Sequence, residues 1–272
     1  MPPFWRTDFL RYATLLLLNV LMAGLTMLSS GPGTARSATP AQQAAPAKQP
    51  GAVAQAAPVP AKQPVVAAPA APAAKPAPAA PAGQALPVPY AGASRQVITV
   101  KADCRTCTSA TLQAWTGLGS GRYVPATGPV RAKIGAEGVG TAAEGSARTP
   151  LGTWDLPGAF GILANPGTKL PYFVAGPTDY WDGRSGLSTY NTHVRSTVPI
   201  EGENLLATGW VYNYAVVMAV NPNRVPYGGS AFFLHVTDGR PTAGCVAIDQ
   251  ASLVSILRWL DPAARPQMVV SL

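Results

Sequence analysis

Cys245 and His235 have the side chains best suited to nucleophilic chemistry in this sequence. An apolar run at 231–234 leads to His235, a turn follows over 238–241, and a second apolar run begins directly after Cys245. This pattern predicts strand, turn, strand, with the imidazole and the thiol at the ends of neighbouring strands. A free cysteine has a pKa near ~8.5, so an adjacent imidazole that takes its proton yields a thiolate able to attack a carbonyl.

Gly244 lies directly before the thiol and carries no side chain, so a substrate can approach the backbone there. The amides of Gly244 and Cys245 are candidate donors to a developing oxyanion. The alternative is a buried, inert Cys245 beside a structural His235. Scarcity favours the catalytic interpretation, because the only other histidine is His193, interpreted as structural or exposed, and the other two cysteines form a separate motif.

Two motifs resemble the L,D-transpeptidase catalytic domain (YkuD-like). The first is a histidine and a loop followed by Ser/Thr-x-Gly-Cys, here His235 and Thr242-Ala-Gly-Cys245. The second is the upstream Thr-Pro-x-Gly-x-aromatic segment, here residues 149–154. The resemblance covers roughly residues 95–272. The family often has His before the Gly-Cys and Arg two residues after the Cys, where this chain has Ala243 and Ala247.

The resemblance implies an exported transferase of the cell wall that takes part in peptidoglycan biosynthesis and so in cell shape. A Cys245 thioester, formed with His235 as base, would join two stem peptides in a 3→3 cross-link. It implies no cofactor and no metal, and carbapenem-type β-lactams as covalent inhibitors. Four further side chains are expected to support the site or contact substrate: Thr242, Arg240, Trp181 and Tyr212. For Arg240 a solvated turn arginine is the alternative.

Three other functions stay open at this point. An L,D-carboxypeptidase would use the same acyl-enzyme with water as acceptor. A non-catalytic wall-binding module would have an inert, buried Cys245. A thiol redox protein would use Cys104 and Cys107, but in an exported protein this Cys-x-x-Cys most simply forms a local disulfide at a hairpin bend.

Composition divides the chain into three parts. Residues 1–37 contain an apolar run, roughly 13–28, of the type found in a signal peptide or membrane anchor. Residues 38–89 are rich in Ala and Pro and are expected to be a disordered linker, whereas 90–272 are long enough for one catalytic domain. We therefore expect an exported protein of the periplasm or cell wall, with attachment to the cytoplasmic membrane through residues 13–28 as one option.

Charge argues against a nucleic-acid partner. The formal net charge is +8, but residues 1–89 hold six Lys/Arg against one acidic residue, and residues 90–272 hold fourteen against eleven. The expected domain is therefore only mildly basic and has no Lys/Arg cluster.

Hydrophobic periodicity predicts a mostly β domain, β-sandwich-like if the resemblance holds, with one C-terminal amphipathic helix at 250–260. Residues 210–220 are predicted to form the strongest strand of the chain, and continuous apolarity at 215–220 indicates that this strand is central. Residues 157–209 are predicted to be irregular, either a lid or substrate wall over the cleft or surface decoration.

Overall fold

The computed structural model of the protein describes residues 82–272. Within this range sixteen strands and one α-helix follow one another along the chain. The strands are β1 (Gln96–Ala102), β2 (Ser109–Gly119), β3 (Arg122–Pro125), β4 (Val130–Lys133), β5 (Val139–Gly140), β6 (Thr149–Pro150), β7 (Gly152–Asp155), β8 (Ala159–Gly161), β9 (Tyr172–Val174), β10 (Asp179–Asp182), β11 (His193–Arg195), β12 (Gly202–Asn204), β13 (Ala215–Val217), β14 (Phe233–Val236), β15 (Val246–Ile248) and β16 (Gln267–Ser271).

One large sheet organises these strands. Its order is β7-β16-β1-β2-β4-β15-β14-β13-β8-β9, with β3 paired to β2. Most neighbours are antiparallel, but β1 with β16, β14 with β15 and β8 with β9 run parallel. The remaining strands form two small sheets: β11-β10-β12 and the β5-β6 pair. The prediction of a mostly β domain with one helix is confirmed for the described residues.

The helix α1 (Gln250–Trp259) packs one apolar stripe on the large sheet. The Asp249 side chain accepts a hydrogen bond from the Ser252 amide at 2.9 Å and so satisfies a free donor of the first turn. Leu253, Ile256 and Leu257 recur at helical spacing and are buried in the aliphatic core. No helix within 82–272 is long and apolar enough to cross a membrane.

The packed part of the chain begins before residue 90. Gln84 and Tyr123 exchange two backbone hydrogen bonds of 2.8 and 2.7 Å, and Val88 is buried against the sheet. The end of the segment predicted as linker thus belongs to the packed domain. The predicted export segment at 1–37 and the rest of the linker lie outside the described residues.

The prediction of one continuous strand over 210–220 is wrong. Trp210–Tyr212 form a 3₁₀ turn, and β13 covers only Ala215–Val217. Gly209, with φ of 87°, begins the turn in a left-handed conformation that favours glycine. The turn places the Tyr212 side chain in the interior, so tertiary packing overrides the strand propensity of this apolar run.

The segment 157–209 contains more regular secondary structure than the irregular pattern predicted. It carries β8 to β12, including the small sheet in which β10 pairs with both β11 and β12. Several of its aromatic side chains are buried: Phe160, Trp181 and Tyr190. The segment is therefore part of the packed domain and not only decoration of its surface.

The Cys-x-x-Cys segment lies in the turn between β1 and β2, as expected. A disulfide joins Cys104 to Cys107. The turn is docked by the Val139 amide, which donates to the Arg105 carbonyl at 2.9 Å. The disulfide thus closes a tight turn whose backbone binds the first residue of β5.

Candidate active site

Strand register brings His235 and Cys245 to one face of the large sheet. β14 and β15 run parallel, with Leu234 opposite Val246 and His235 opposite Ala247. Paired residues of neighbouring strands share a face, and side chains alternate along each strand. Cys245 lies two residues before Ala247, so the thiol and the imidazole point to the same side. The predicted neighbouring strands are present, and their parallel direction is a feature that the sequence did not indicate.

The Cys245 thiol is held between backbone groups of the neighbouring chain. Cys245 is 8% exposed. Sγ lies 3.4 Å from the Ala231 carbonyl, to which it donates, and 3.4 Å from the Phe233 amide, from which it accepts. Burial raises the pKa of this thiol far above its ordinary value, and the charge of Glu203 adds to the effect. In this state of the protein Cys245 is therefore a neutral thiol.

His235 is a neutral imidazole with a defined tautomer. Its Nδ1 lies 2.9 Å from the Val236 carbonyl, which can only accept, so Nδ1 carries the proton and Nε2 keeps the lone pair. Burial lowers the His235 pKa, and the Val236 carbonyl, the Asp238 charge and the Val211 carbonyl oppose that effect. Within the described residues no hydrogen bond joins His235 to Cys245, so proton transfer between them requires a closer approach.

The two sequence motifs meet at the backbone carbonyl of Cys245. The Thr242 hydroxyl donates to this oxygen at 2.7 Å, and the Thr149 hydroxyl donates to it at 3.0 Å. Thr149 in turn accepts from the Gly135 amide at 2.9 Å. The loop before Cys245 is therefore fixed from both sides by hydroxyl groups of the two motifs.

Gly244 occupies a position that excludes a side chain. Its φ is 136°, and an added Cβ would lie 2.8 Å from the Phe232 ring and 3.0 Å from the Arg148 carbonyl. The Gly244 amide, a predicted oxyanion donor, already donates to the Thr242 hydroxyl at 3.1 Å. The Gly244 amide must therefore break its hydrogen bond to Thr242 before it can bind an oxyanion.

Aromatic side chains from outside the motifs cover the thiol face. Trp181 and Tyr212 both make edge-to-face contacts with Phe233, with ring centroids 5.0 and 5.7 Å apart. Both are buried, so in this state they act as packing groups and not as an open substrate surface. Asn191 fastens the cover, because its Oδ1 accepts from Trp181 Nε1 at 2.8 Å and from the Ala231 amide at 3.2 Å.

Glu203 is a site residue that the sequence analysis missed. It lies on β12, and its Oε2 accepts a 2.6 Å hydrogen bond from the Tyr212 hydroxyl. The Tyr212 ring also meets the His235 ring edge to face, at 5.4 Å between centroids. Glu203 therefore connects the segment 157–209 to the candidate base. A carboxylate in a segment without clear periodicity gave no spacing signal by which it could have been found.

The structure places Arg240 in the turn and away from the buried groups. Its side chain is 83% exposed and lies 2.6 Å from Asp238, with which it pairs.

His193 belongs to a separate polar cluster. Its Nε2 lies 2.7 Å from Asp179 Oδ1, and its ring stacks on Phe173 with centroids 4.0 Å apart. Arg195 donates to the same carboxylate oxygen at 3.2 Å. These contacts give His193 a structural role, as expected. Among the described residues no group of three or more His, Cys, Asp or Glu side chains is placed to hold a metal ion.

Comparison with known proteins does not identify a family for this chain. No protein-family model matches this chain, and no curated protein matches it either.

Proposed function

We propose that this protein is an exported cysteine acyltransferase of the L,D-transpeptidase type, with a YkuD-like catalytic domain that acts on peptidoglycan stem peptides. One observation carries the proposal. A neutral imidazole and the only free thiol of the chain lie on one face of adjacent strands, and the threonines of both motifs bind the Cys245 carbonyl.

The first half of the reaction forms a thioester. Nε2 of His235 takes the proton of Cys245, and Sγ attacks the carbonyl of the third residue of a donor stem peptide. A backbone amide at Cys245 stabilises the oxyanion of the tetrahedral intermediate. The protonated imidazole then gives its proton to the departing amine of terminal D-Ala, and the acyl group stays on Sγ.

The second half transfers the acyl group. An amine of a neighbouring stem attacks the thioester carbonyl and loses a proton to His235. The carbon–sulfur bond breaks, an amide forms, and the thiolate recovers its proton from the imidazolium. The same intermediate attacked by water would make the protein an L,D-carboxypeptidase.

Substrate entry requires the cover to move. Cys245 is 8% exposed, and Trp181 and Tyr212 pack in the same cluster. A donor peptide that displaces this cover would also relieve the burial that disfavours the thiolate. The described state is thus a resting state in this mechanism.

The buried thiol also favours a second candidate function, a non-catalytic wall-binding module. That function requires an inert Cys245, and a neutral thiol with a raised pKa fits it. The two candidates differ in whether the thiol can be acylated at all.

The deciding experiment is intact mass of the full chain after incubation with a carbapenem, beside Cys245→Ala and His235→Gln. The transferase predicts an adduct of one drug molecule on the parent, none on Cys245→Ala and slow formation on His235→Gln. No adduct on the parent, together with no alkylation by iodoacetamide, would reject the enzyme and support the binding module.

A further inference from the structure

One side chain contacts both the aromatic cover and the chain that holds the thiol. Oδ1 of Asn191 accepts from Trp181 Nε1 at 2.8 Å and from the Ala231 amide at 3.2 Å. Nδ2 of the same side chain donates to the backbone carbonyls of Val220 and Asn221, at 2.9 and 3.1 Å. An indole N–H can only donate and a carbonyl can only accept, so these partners fix which end of the amide is oxygen. The Asn191 side chain is therefore held in one orientation, with two donors on its oxygen and two acceptors on its nitrogen.

Ala231, one of these partners, has a backbone conformation that is rare for a residue with a side chain. Its φ is 56°, in the left-handed region, and such a conformation persists where surrounding contacts hold it. The amide of this residue is bound by Asn191, and its carbonyl accepts from the Cys245 thiol at 3.4 Å. The carbonyl that faces Sγ thus belongs to a residue that Asn191 anchors.

The Ala231 carbonyl competes with the candidate base for one proton. A thiol has a single proton to donate, and in this structure Cys245 donates it to Ala231. Within residues 82–272 no hydrogen bond joins Cys245 to His235, whose Nε2 must receive this proton before Sγ can attack a carbonyl. Contacts that hold Ala231 in place therefore oppose formation of the nucleophile.

We propose that Asn191 is a positioning residue that keeps the candidate nucleophile at rest. It holds Ala231 where its carbonyl binds the Cys245 proton, and it anchors Trp181 in the aromatic cluster that contains this thiol. The role rests on the proposed function, because it concerns the step in which the thiol becomes able to take an acyl group. A donor peptide has to displace Trp181, and the thiol proton has to leave Ala231, before His235 can act as base.

Three substitutions separate the two contacts of Asn191 Oδ1. Asn191 itself has a φ of 56°, so Asn191→Gly removes the side chain and adds no backbone strain. Trp181→Phe keeps an aromatic ring and removes the indole donor to Asn191. Asn221→Gly is the matched control, because Asn221 also has a positive φ, of 52°, and also binds backbone groups through its side chain. These groups belong to Val225 and Gly229, so the control leaves both contacts of Asn191 Oδ1 intact.

Two measurements on the full chain follow the thiol directly. The S–H stretching band of the Raman spectrum moves to lower frequency when a thiol donates a hydrogen bond. Cys245 is the one free cysteine, so this band reports on it alone. Alkylation by iodoacetamide at neutral pH, followed by intact mass, reports how readily the thiol becomes accessible and reacts.

We expect Asn191→Gly to move the S–H band to higher frequency, because the Ala231 carbonyl is no longer held toward the thiol. This variant should be alkylated about tenfold faster than the parent, since the loss of about one net hydrogen bond changes a population by about that factor. Trp181→Phe should be alkylated faster than the parent but keep the parent band. Asn221→Gly should match the parent in both measurements.

The S–H band separates positioning of the thiol from a general loosening of the fold. An unshifted band in Asn191→Gly, or alkylation of this variant at the parent rate, would overturn the inference. An equal shift in Asn221→Gly would overturn it too, because loosening of the neighbouring loop would then be enough to move the thiol. An equal shift in Trp181→Phe would assign the position of the thiol to the cover, and the inference would again be wrong.

A measurement on the parent protects the test against misfolding. If Asn191→Gly does not fold by circular dichroism, the parent band is compared with that of an alkyl thiol in an apolar solvent. A parent band at lower frequency supports the hydrogen bond to Ala231, and a band at the frequency of the free thiol overturns the inference.

Neither measurement depends on transferase activity, so the two proposals can fail separately. A carbapenem adduct on the parent together with an unshifted band in Asn191→Gly would reject this inference alone. A shifted band in Asn191→Gly with no adduct on the parent would reject the proposed function alone.

Discussion

The two faces of the β14–β15 pair differ in chemistry although they alternate along the same residues. One face carries Leu234, Val236, Val246 and Ile248, which pack in the aliphatic core together with α1. The opposite face carries Phe233, His235 and Cys245, among aromatic rings and the Glu203 carboxyl. The pleat therefore places hydrocarbon on one side and groups that titrate on the other.

Because the two kinds of side chain lie on separate faces, the domain can keep a reactive group buried without placing it in the aliphatic core. The aliphatic face supplies packing that does not depend on pH or substrate. The thiol face rests on contacts from β10, β12 and the 3₁₀ turn at Trp210–Tyr212. Substitutions on the first face should affect stability, and substitutions on the second should affect the thiol.

The largest effect is expected on the aliphatic face. Leu234 is fully buried, so Leu234→Ala should lower the free energy of unfolding by about 2–5 kcal/mol through lost burial and the cavity that remains. Urea unfolding followed by circular dichroism measures this loss. Leu118 on β2 is 56% exposed, and Leu118→Ala is the matched control with a change of less than about 0.5 kcal/mol. Equal losses for both variants would contradict the assigned core.

The next effect is expected on the thiol face. His235→Gln should slow carbapenem acylation of Cys245 about a hundredfold or more, because general-base assistance is lost. It should change the unfolding free energy by less than about 1 kcal/mol, as a partly buried polar side chain is exchanged for another. The acylation rate is measured by stopping the reaction at set times and determining the intact mass of the protein. A His235→Gln variant that acylates at the parent rate would remove His235 from the mechanism.

Low pH should loosen the cover before the core. Asp182 on β10 is fully buried, and the Arg184 side chain beside it lowers its pKa to about 2. A carboxyl with a depressed pKa stabilises the fold above its unfolded value, which is 3.8, and the contribution is lost as pH falls from about 4 towards 2. The free energy of unfolding of the parent should therefore exceed that of Asp182→Asn by about 2 kcal/mol at pH 6. This difference should shrink towards zero at pH 2. A difference that is constant between pH 6 and pH 2 would contradict the ion pair.

Local sequence signals predicted the strand that carries His235 and the helix at 250–260, because a continuous apolar run marks the first and a helical period of apolar residues marks the second. The parallel pairing of β14 with β15 could not be predicted in this way. It depends on the chain between them, in which Thr242 forms a bridge with Gly135, far away in sequence.

Tertiary contacts explain what the sequence did not reveal about the site. The motif residues Thr149 and Thr242 were identified by pattern, but their common partner is a backbone carbonyl that no pattern names. Glu203 lies opposite Trp181 in the β10–β12 pair, and its carboxylate accepts a hydrogen bond from the Tyr212 hydroxyl. Buried side chains on separate elements have no fixed sequence spacing, so such pairs become visible only in the structure.

The smallest effects on stability are expected for the two motif threonines that bind the Cys245 carbonyl, and the two variants should differ from each other. Thr242→Val removes a donor to the Cys245 carbonyl and the acceptor of the Gly244 amide. The Thr149 hydroxyl still donates to that carbonyl, and water can reach the half-buried Thr242 position, so the loss should be about 1 kcal/mol. Thr149 is fully buried and also accepts from the Gly135 amide, so Thr149→Val leaves that donor unsatisfied and should cost about 2 kcal/mol. Midpoints of urea unfolding compare the two variants. If Thr242→Val costs as much as Thr149→Val, the carbonyl needs both donors, and the loop before Cys245 is held by the pair and not mainly by Thr149.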